Sequence, residues 1–491
     1  METASAFMRC KLFTLALSAL WSPLVSQNNI NWGMTMNVAA NTYGNQHPRI
    51  VMNSAGNPLV VWGRMSDQSL FISRWSGSSF TTPLMLNPNW MNVATMGWHG
   101  PDIASKGDTV YVVMKQAPEA DTASHIYIVR SFDGGASFSA PFRVDYIGDS
   151  ISRFPTITVD GSGNPIVAFM KFDPSFGNAR WVVARSANYG TTFTVDTKAS
   201  GWSGTGSTVC DCCPGGITNA GGKVTMLYRD AYTNIRDHWI GLSTNNGAGF
   251  TGGWNMDQNN WMLMMCPSVG PDGVIIGDTL YSTFMNGASG DDLVYWNATS
   301  LTGMNSPPAM AVTGLLPNLN YQSYPRIDNF GNALAIVWKQ NVNGSDQLPI
   351  RFTNNINAGL TAGYDTVDLG NITNADVALA NGSIFVVWQD DNSATVRYRS
   401  GTFTPFSSVN EIQGDEITLD VYPNPGQGLF TLACSGNMAR IEVRNMLGEV
   451  LMRTEPGQKT SLIDLSACAA GLYLVKVVSG GHTQTRKIII Q

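Results

Sequence analysis

The residues best equipped for chemistry crowd into one stretch near the middle of the chain. Cys210-Asp211-Cys212-Cys213-Pro214 is followed by Tyr228-Arg229-Asp230, then Ile235-Arg236-Asp237, then Cys266-Pro267. Four cysteines, two arginines and three aspartates at that density admit three kinds of chemistry. In an oxidising compartment Cys210, Cys212, Cys213 and Cys266 would pair as disulfides, with the arginines and aspartates as ion pairs beside them. Thiolates near Met262, Met264 and Met265 would instead suit a soft ion such as copper(I) or zinc, although the spacing lacks zinc-finger form. Otherwise no cofactor is implied. The third use is recognition of a glycan, because an arginine fork grips a carboxylated sugar at two points. A second set is dispersed: His47, Arg49, His99, Asp102, Arg153, Tyr324 and Arg326, with Trp90 and Trp98 nearby to stack on a sugar face or to pack in the core. No Ser-His-Asp arrangement and no phosphate-binding loop stands out.

What positions these residues is a repeat. A proline or small residue, a β-branched residue two further on, a glycine-containing turn and an apolar run recur along the chain. The units begin at Pro48, Pro101, Pro155, Pro214, Pro267, Pro325 and Ala375, at spacings of 53, 54, 59, 53, 58 and 50 residues. Each continues through two further apolar stretches. Four strands in about fifty residues make one blade of a β-propeller, which cannot bury both faces of its sheet alone and must stack around an axis. The count gives seven blades, or six if one unit is incomplete, and the segment Asn28 to Val38 would supply an outer strand to the last blade. The inner strand then starts on the top face, so the loops before it and those between the second and third strands share that face. The candidate ligand-binding residues Arg229, Asp230, Arg236, Asp237, Arg49, Arg326, Asp102 and Tyr324 all fall there.

A short motif follows the third stretch of several units. Ser131, Asp133, Gly135 and Phe138 match S-x-D-x-G-x-x-[FW] fully. Ser186, Asn188, Gly190 and Phe193 match with asparagine for aspartate, as do Ser243, Asn245, Gly247 and Phe250. Ser73 to Phe80 keeps the serine, glycine and phenylalanine. The Asp or Asn caps the turn, the glycine takes positive φ and the aromatic plugs into the blade. Four copies spaced 58, 55 and 57 residues apart, in phase with the strands, resemble the Asp-box (BNR) family that includes sialidases, from about Pro48 to Glu411. In that family the box is a fold element, here expected on the bottom face, and ligands bind on top near the axis. The cysteine, Y-R-D and I-R-D strings are similar to those of a subgroup of bacterial sialidase-like propellers.

The resemblance implies, for a sialidase, three arginines on a substrate carboxylate, an aspartate acid/base and a tyrosine nucleophile activated by glutamate. The usual F-R-I-P string is absent. The nearest strings are His47-Pro48-Arg49-Ile50 and Tyr324-Pro325-Arg326-Ile327, and Glu119 is the only glutamate between Pro48 and Asn410. A tyrosine nucleophile needs a nearby base. The leading expectation is therefore a glycan-interacting propeller whose catalysis is undecided. The alternatives are a divergent exo-acting glycoside hydrolase of sialidase type, which aspartate pairs would serve, and an adhesion or scaffold protein.

The two ends speak for export. Arg9 and Lys11 precede the apolar stretch Leu12 to Val25, which reads as a signal peptide over residues 1–26, with Met8 as an alternative start. From about Glu416 the character changes. YPNP at Tyr422, GLF at Gly428, the alternating strand before MLGE at Met446, GLYLVKV at Gly471 and a basic-apolar tail predict a small Ig-like β-sandwich. In that order they resemble the type IX secretion sorting domain of Bacteroidota, which implies the secretion machinery as a partner and release or attachment at the cell surface. Cys434 and Cys468 could bridge within it. The domains expected are thus the signal, a propeller over 27–411 and a sorting domain over 416–491. All is consistent with an all-β chain: 491 residues, 50 of them glycine, only 13% charged. A net charge of −6 argues against a nucleic-acid partner, and no segment of the mature chain is apolar enough to cross a membrane as a helix.

Overall fold

The propeller repeat is realised as seven antiparallel sheets, six of four strands and one of five, in a computed structural model that describes residues 30–39, 44–265, 267–313, 319–360, 363–406, 418–480 and 482–491. The inner strands of blades 1 to 7 are Asn45–Met52, Asp102–Lys106, Ile151–Val159, Gly216–Ala220, Asp272–Ile276, Leu319–Phe330 and Ile372–Ala380. In each blade the next two strands pair outward in sequence order. In blades 1 to 6 the fourth strand follows in the chain. Blade 7 takes its outer strands from the start of the chain: Asn31–Trp32 and Met36–Ala39 both pair with Thr395–Thr402. The blade count and the borrowed outer strand are as the repeat phase implies. Among the described residues there is no α-helix, and no helix is long and apolar enough to cross a membrane.

The reason the blades must stack is visible in where the apolar side chains go. The second strands carry runs such as Leu59-Val60-Val61-Trp62 and Ile384-Phe385-Val386-Val387-Trp388, nearly all buried. Alternate residues face opposite neighbours. Leu59 and Val61 join Val110 and Val112 of blade 2, whereas Val60 and Trp62 join Ala378 and Val387 of blade 7. One apolar cluster fills each of the seven gaps between blades, including the gap that closes the ring. At about 25 cal/mol per Å² of apolar surface removed from water, these seams dominate the cohesion of the ring.

Hydrogen bonds brace the turns at the lower ends of single blades. Three turns share one pattern at the lower ends of blades 2, 3 and 4. The hydroxyl of Ser131, Ser186 or Ser243 donates to Asp133, Asn188 or Asn245 at 2.7, 3.0 and 2.7 Å, and accepts from the amide of Gly135, Gly190 or Gly247. Gly135 has φ +83°, and a methyl there would lie 2.1 Å from Leu59 Cδ2 of the preceding blade. Ser73 does not make this knot; its hydroxyl donates to the carbonyl of Thr81.

Inter-blade pairing corrects the phase of repeat five. Asp272 accepts from the amide of Ile327 in blade 6 just as Asp102 accepts from Ile157 in blade 3. The counterpart of Pro101-Asp102-Ile103 is therefore Pro271-Asp272-Gly273-Val274, and the unit begins at Pro271 rather than Pro267. Cys266-Pro267 is then not equivalent to Cys213-Pro214. Cys266 itself lies outside the described residues, as do the signal segment and residues 407–417.

The chain divides into two compact units, to Phe406 and from Ser407. The second is a two-sheet sandwich. One sheet has Leu419–Tyr422, Leu429–Cys434 and Thr460–Asp464; the other has Val450–Thr454, Met438–Asn445, Gly471–Ser479 and His482–Ile490. Alternating side chains such as Phe430, Leu432, Ile441, Val443, Val475 and Val477 fill the space between them. Cys434 and Cys468 both pack against this core as free thiols. The bridge expected between them is absent.

Candidate functional site

Seven inner strands converge at the top of the propeller axis on one pocket. Its wall includes His47 and Arg49 of blade 1, Trp98, His99 and Asp102 before and in blade 2, Phe154 and Thr156 of blade 3, Pro214 and Gly215 of blade 4, Ser268 to Pro271 of blade 5, Tyr324 and Arg326 of blade 6, and Asn374 of blade 7. Every described member of the dispersed set lines this pocket except Arg153, which is bonded to it through Glu119.

The backbone explains why side chains of these types reach the axis. In blades 1, 3, 6 and 7 the inner strand breaks register beside the pocket, at Gln46/Arg49, Arg153/Thr156, Ser323/Arg326 and Thr373/Asp376, and in blade 6 it breaks a second time at Asn320/Ser323. Each break beside the pocket is a bulge, and each of these bulges holds a non-glycine residue at positive φ: His47 (+56°), Phe154 (+53°), Tyr324 (+52°) and Asn374 (+48°). Such residues are uncommon, and strained backbone of this kind collects at ligand sites. The proline after each of the first three keeps the chain extended into the strand.

The carboxylates of the pocket are already committed. Asp102 accepts from Thr156 Oγ1 at 2.7 Å and Ile157 N at 3.1 Å. Asp376 accepts from Ile50 N at 3.0 Å across the closing seam, and Asp272 from Ile327 N at 3.0 Å. Arg326 lies between the last two, 3.3 Å from Asp272 and 3.0 Å from Asp376. Burial alone would lower the pKa of Arg326, but Asp272, Asp376 and Asp102 outweigh it and hold the guanidinium above its ordinary value. Glu119, from the loop between the second and third strands of blade 2, is 2.9 Å from Arg153 Nε and 3.0 Å from His99 Nε2, in close but bent contacts. Its other oxygen accepts from Arg153 at 3.0 Å. Burial opposes its ionisation, yet His99 and Arg153 bring its pKa down to about 2.

Arg49 differs from the other pocket arginines. Its guanidinium donates to the carbonyl of Pro48 at 2.8 Å and to His47 Nε2 at 2.7 Å, both neutral acceptors. Among the described residues no carboxylate pairs with it. Burial and then the nearby Arg326 lower its pKa to about 10. Tyr324 is half-buried, and burial raises the pKa of its hydroxyl. Trp98 is 38% exposed at the pocket, and Trp90 is 64% exposed with its edge toward Tyr127, so neither is a core tryptophan.

The denser mid-chain group does not join this pocket. Arg229 is buried between blades 4 and 5 and donates to the carbonyls of Arg236, Val269 and Met285 at 2.7, 3.3 and 2.7 Å, with Trp261 beneath it at 5.2 Å. Arg236 donates to the carbonyl of Leu263. Asp237 accepts from the amides of Asn260 and Trp261 and from Asn255. Asp230 accepts from Tyr232 N, and burial raises its pKa to about 6. The expected Arg–Asp ion pairs of this group are thus replaced by backbone bonds, because each charged group meets a loop that needs organising before it meets its sequence neighbour.

The sulfurs of Cys210, Cys212 and Cys213 lie within 4.8 Å of one another, and Cys212 is disulfide-bonded. Cys210 Sγ and Cys213 Sγ are 3.0 Å apart, longer than the ~2.05 Å of a covalent bond. They are also closer than the ~3.8 Å that two thiolates would keep on a tetrahedral zinc with bonds of about 2.3 Å. The bond from Cys213 and the charges of Arg229 and Arg236 bring Cys210 down to about 7 against burial, while burial pushes Cys213 up.

Residues 420–491 match the family model of the secretion system C-terminal sorting domain. No curated protein sequence matches the chain. Solved structures that resemble it include a protein of unknown function from Dyadobacter fermentans, at 12% identity, covering 65% of this chain and 97% of that one with a TM-score of 0.45. A mutant of Trypanosoma rangeli sialidase with trans-sialidase activity aligns at 13% identity over 94% of this chain and 87% of its own, TM-score 0.42. A polysaccharide lyase acting on ulvan aligns at 8% identity over 74% and 95%, TM-score 0.48. Likenesses this distant carry no argument about what the chain binds. The sorting domain does carry one about its destination: this is an all-β propeller protein that ends in a type IX secretion C-terminal sorting domain and is exported to the cell surface or beyond.

Proposed function

We propose that the propeller is a glycan-interacting module of an exported protein and that its ligand enters the axial pocket. The observation that carries this reading is the ring of four bulges, which presents His47, Phe154, Tyr324 and Asn374 at positive φ around one mouth. Arg49 adds a buried cation held only by neutral acceptors, which favours a ligand with a carboxylate. Trp98 offers an exposed ring for the apolar face of a sugar.

Binding is favoured over hydrolysis by the state of the carboxylates. A glycosidase keeps two carboxyl groups aimed at the scissile bond, whereas Asp102, Asp272 and Asp376 are spent on backbone amides and Glu119 on His99 and Arg153. The test is an oligosaccharide array of neutral and acidic glycans probed with the mature full chain, followed by mass analysis of each hit after incubation. The expected result is retention of an intact glycan, lost in Arg49→Met. Release of a terminal sugar would replace this reading with the exo-hydrolase one. An array that stays blank while a surface protein is captured would replace it with the adhesion one.

A further inference from the structure

Two imidazoles that line the axial pocket each keep a buried Nδ1 without a hydrogen-bond partner among the described residues. His47 Nε2 lies 2.7 Å from a guanidinium nitrogen of Arg49, which can only donate. Nε2 must therefore accept, and the ring proton sits on Nδ1. Burial and then the charges of Arg49, His99 and Arg326 hold His47 well below its ordinary pKa, so the ring stays neutral. His99 Nε2 lies 3.0 Å from Glu119 Oε1. Glu119 is ionised above about pH 2 and can only accept. Nε2 of His99 therefore carries a proton toward Glu119, and Nδ1 is the ring nitrogen left for a ligand. Both Nδ1 atoms are buried and without a partner among the described residues, and both rings line the pocket. Buried polar atoms are seldom left so.

We propose that His47 Nδ1–H and His99 Nδ1 recognise hydroxyl groups of the ligand, one hydroxyl oxygen accepting from His47 and another hydroxyl pairing with Nδ1 of His99. A hydroxyl is the ligand group that can satisfy both, because it donates and accepts at once. The pair therefore deepens the proposed function, on which it rests. It assigns Arg49 to a charged group of the sugar where one is present and the two histidines to its ring hydroxyls. His99 is oriented by Glu119, and Glu119 by Arg153, so those two act as positioning residues.

The test begins without ligand. Nitrogen-15 NMR of the full mature chain should show His47 protonated at Nδ1 and His99 at Nε2; the reverse assignment at either ring overturns the proposal while leaving a glycan ligand open. The same spectra are then followed during titration with methyl glycosides of galactose, arabinose, glucuronic acid and N-acetylneuraminic acid. At least one should shift both Nδ1 resonances. His47→Phe and His99→Phe should each weaken that glycoside's binding by roughly three- to tenfold, the loss of one neutral hydrogen bond. Phenylalanine is tolerated at the strained position of blade 3, as Phe154, so His47→Phe is expected to fold, and an unchanged melting temperature checks both variants. Binding that survives both substitutions overturns the proposal. Correct tautomers with no response to any glycoside overturn the functional reading, and this ligand assignment with it.

Discussion

Two charged regions of the propeller, the axial mouth and the seam between blades 4 and 5, are built from the same residue types and end in opposite conditions. In the seam, Arg229 sits on three carbonyl oxygens and Asp237 on two amides and a side-chain amide. Arg229 itself is only 1% exposed. At the mouth, Arg49 has no carboxylate partner among the described residues, both histidines keep an unpartnered nitrogen, and four residues hold positive φ; the seam too has positive φ at Thr233, Asn234, Gln258 and Asn260 and unpartnered atoms at Arg229 Nε and Asp230 Oδ1, but none of these lines the axial pocket. Polar groups closed on the backbone stabilise a fold, whereas polar groups left open at strained positions are available to a ligand.

The largest expected difference between the regions is in stability. Arg229→Met should remove the donor to three buried carbonyls at once and cost about 3–5 kcal/mol, read as a lowered denaturant midpoint. Arg49→Met leaves behind only the Pro48 carbonyl and a histidine nitrogen, and removes a desolvated cation, so its cost should stay below about 1.5 kcal/mol while ligand binding is lost. Equal stability losses in the two variants would mean that the mouth is as much a staple as the seam.

The regions should also answer pH in opposite directions. Glu119 has a native pKa of about 2 against an ordinary 4.5. The unfolded chain holds more protons between those values, so the contribution of Glu119 is complete above about pH 4.5 and is lost as pH falls toward 2. Asp230 has a native pKa of about 6 against 3.8, with burial as the cause. There the native state holds the proton longer, so stability is greatest below pH 3.8 and declines as pH rises toward 6. Each effect is on the order of 2–3 kcal/mol at full extent. Unfolding midpoints measured from about pH 3 to about pH 7 should rise less steeply with pH in Glu119→Gln and fall less in Asp230→Asn than in the parent. Parallel changes in the two variants would contradict the contrast.

Much of the mouth was legible in the sequence and the seam was not, for a physical reason. His47, Arg49, Asp102, Tyr324 and Arg326 stand at the same phase of different repeats, and a ring of repeats brings equal phases to the axis. The Cys210–Asp237 group is dense along the chain, but its residues occupy different phases of one blade, so chain density never becomes convergence on a pocket. The misplacement of the fifth unit had a related origin. Pro267 is followed by Ser268 and Val269, which fit the repeat pattern, whereas Pro271 is followed by Asp272, and the bond from Ile327 to Asp272 marks the second as the start of the unit. Starting the unit at Pro271 makes the neighbouring spacings 57 and 54 rather than 53 and 58, a regularity available before any coordinates. Glu119 was visible as the lone glutamate of the propeller. Its engagement with His99 and Arg153 was not, because the bulge that turns blade 3 at Arg153 leaves no residue signature beyond a Phe-Pro pair. The bulges themselves were equally silent, since His, Phe, Tyr and Asn share no propensity that announces positive φ.

Smaller than the pH effects is the contrast between glycines of the two kinds of region. Gly135 holds φ +83° in a seam, with Leu59 Cδ2 at 2.1 Å from an added methyl. Gly135→Ala should cost about 1–3 kcal/mol by thermal or chemical unfolding, part from the backbone and part from displacing Leu59. Gly97, in the loop beside the mouth, has open space around its would-be methyl and no positive φ. Gly97→Ala should therefore stay within about 0.5 kcal/mol of the parent. A costly Gly97→Ala would show that the rim of the mouth is packed as tightly as the seams.

The sharpest separation of the two kinds of region is expected at the tryptophans. Trp98 lines the pocket and is 38% exposed, while Trp62, in the seam between blades 7 and 1, is 1% exposed and donates its Nε1–H to Asn45 at 2.9 Å. Trp62→Ala leaves a cavity in a closed seam and should lower stability by about 3–5 kcal/mol. In Trp98→Ala the lost surface is largely surface that already met water, so the folded protein should lose little, within about 1 kcal/mol. What Trp98→Ala should lose is the sugar. A ring that stacks on the apolar face of a pyranose contributes to binding without contributing to folding, so affinity for any glycan hit should fall several-fold while the melting curve is unmoved. If affinity is unchanged, the ligand sits below the rim among His47, His99 and Arg49 only. If the melting curve moves and affinity does not, Trp98 belongs with the seam, and the mouth is narrower than its lining suggests.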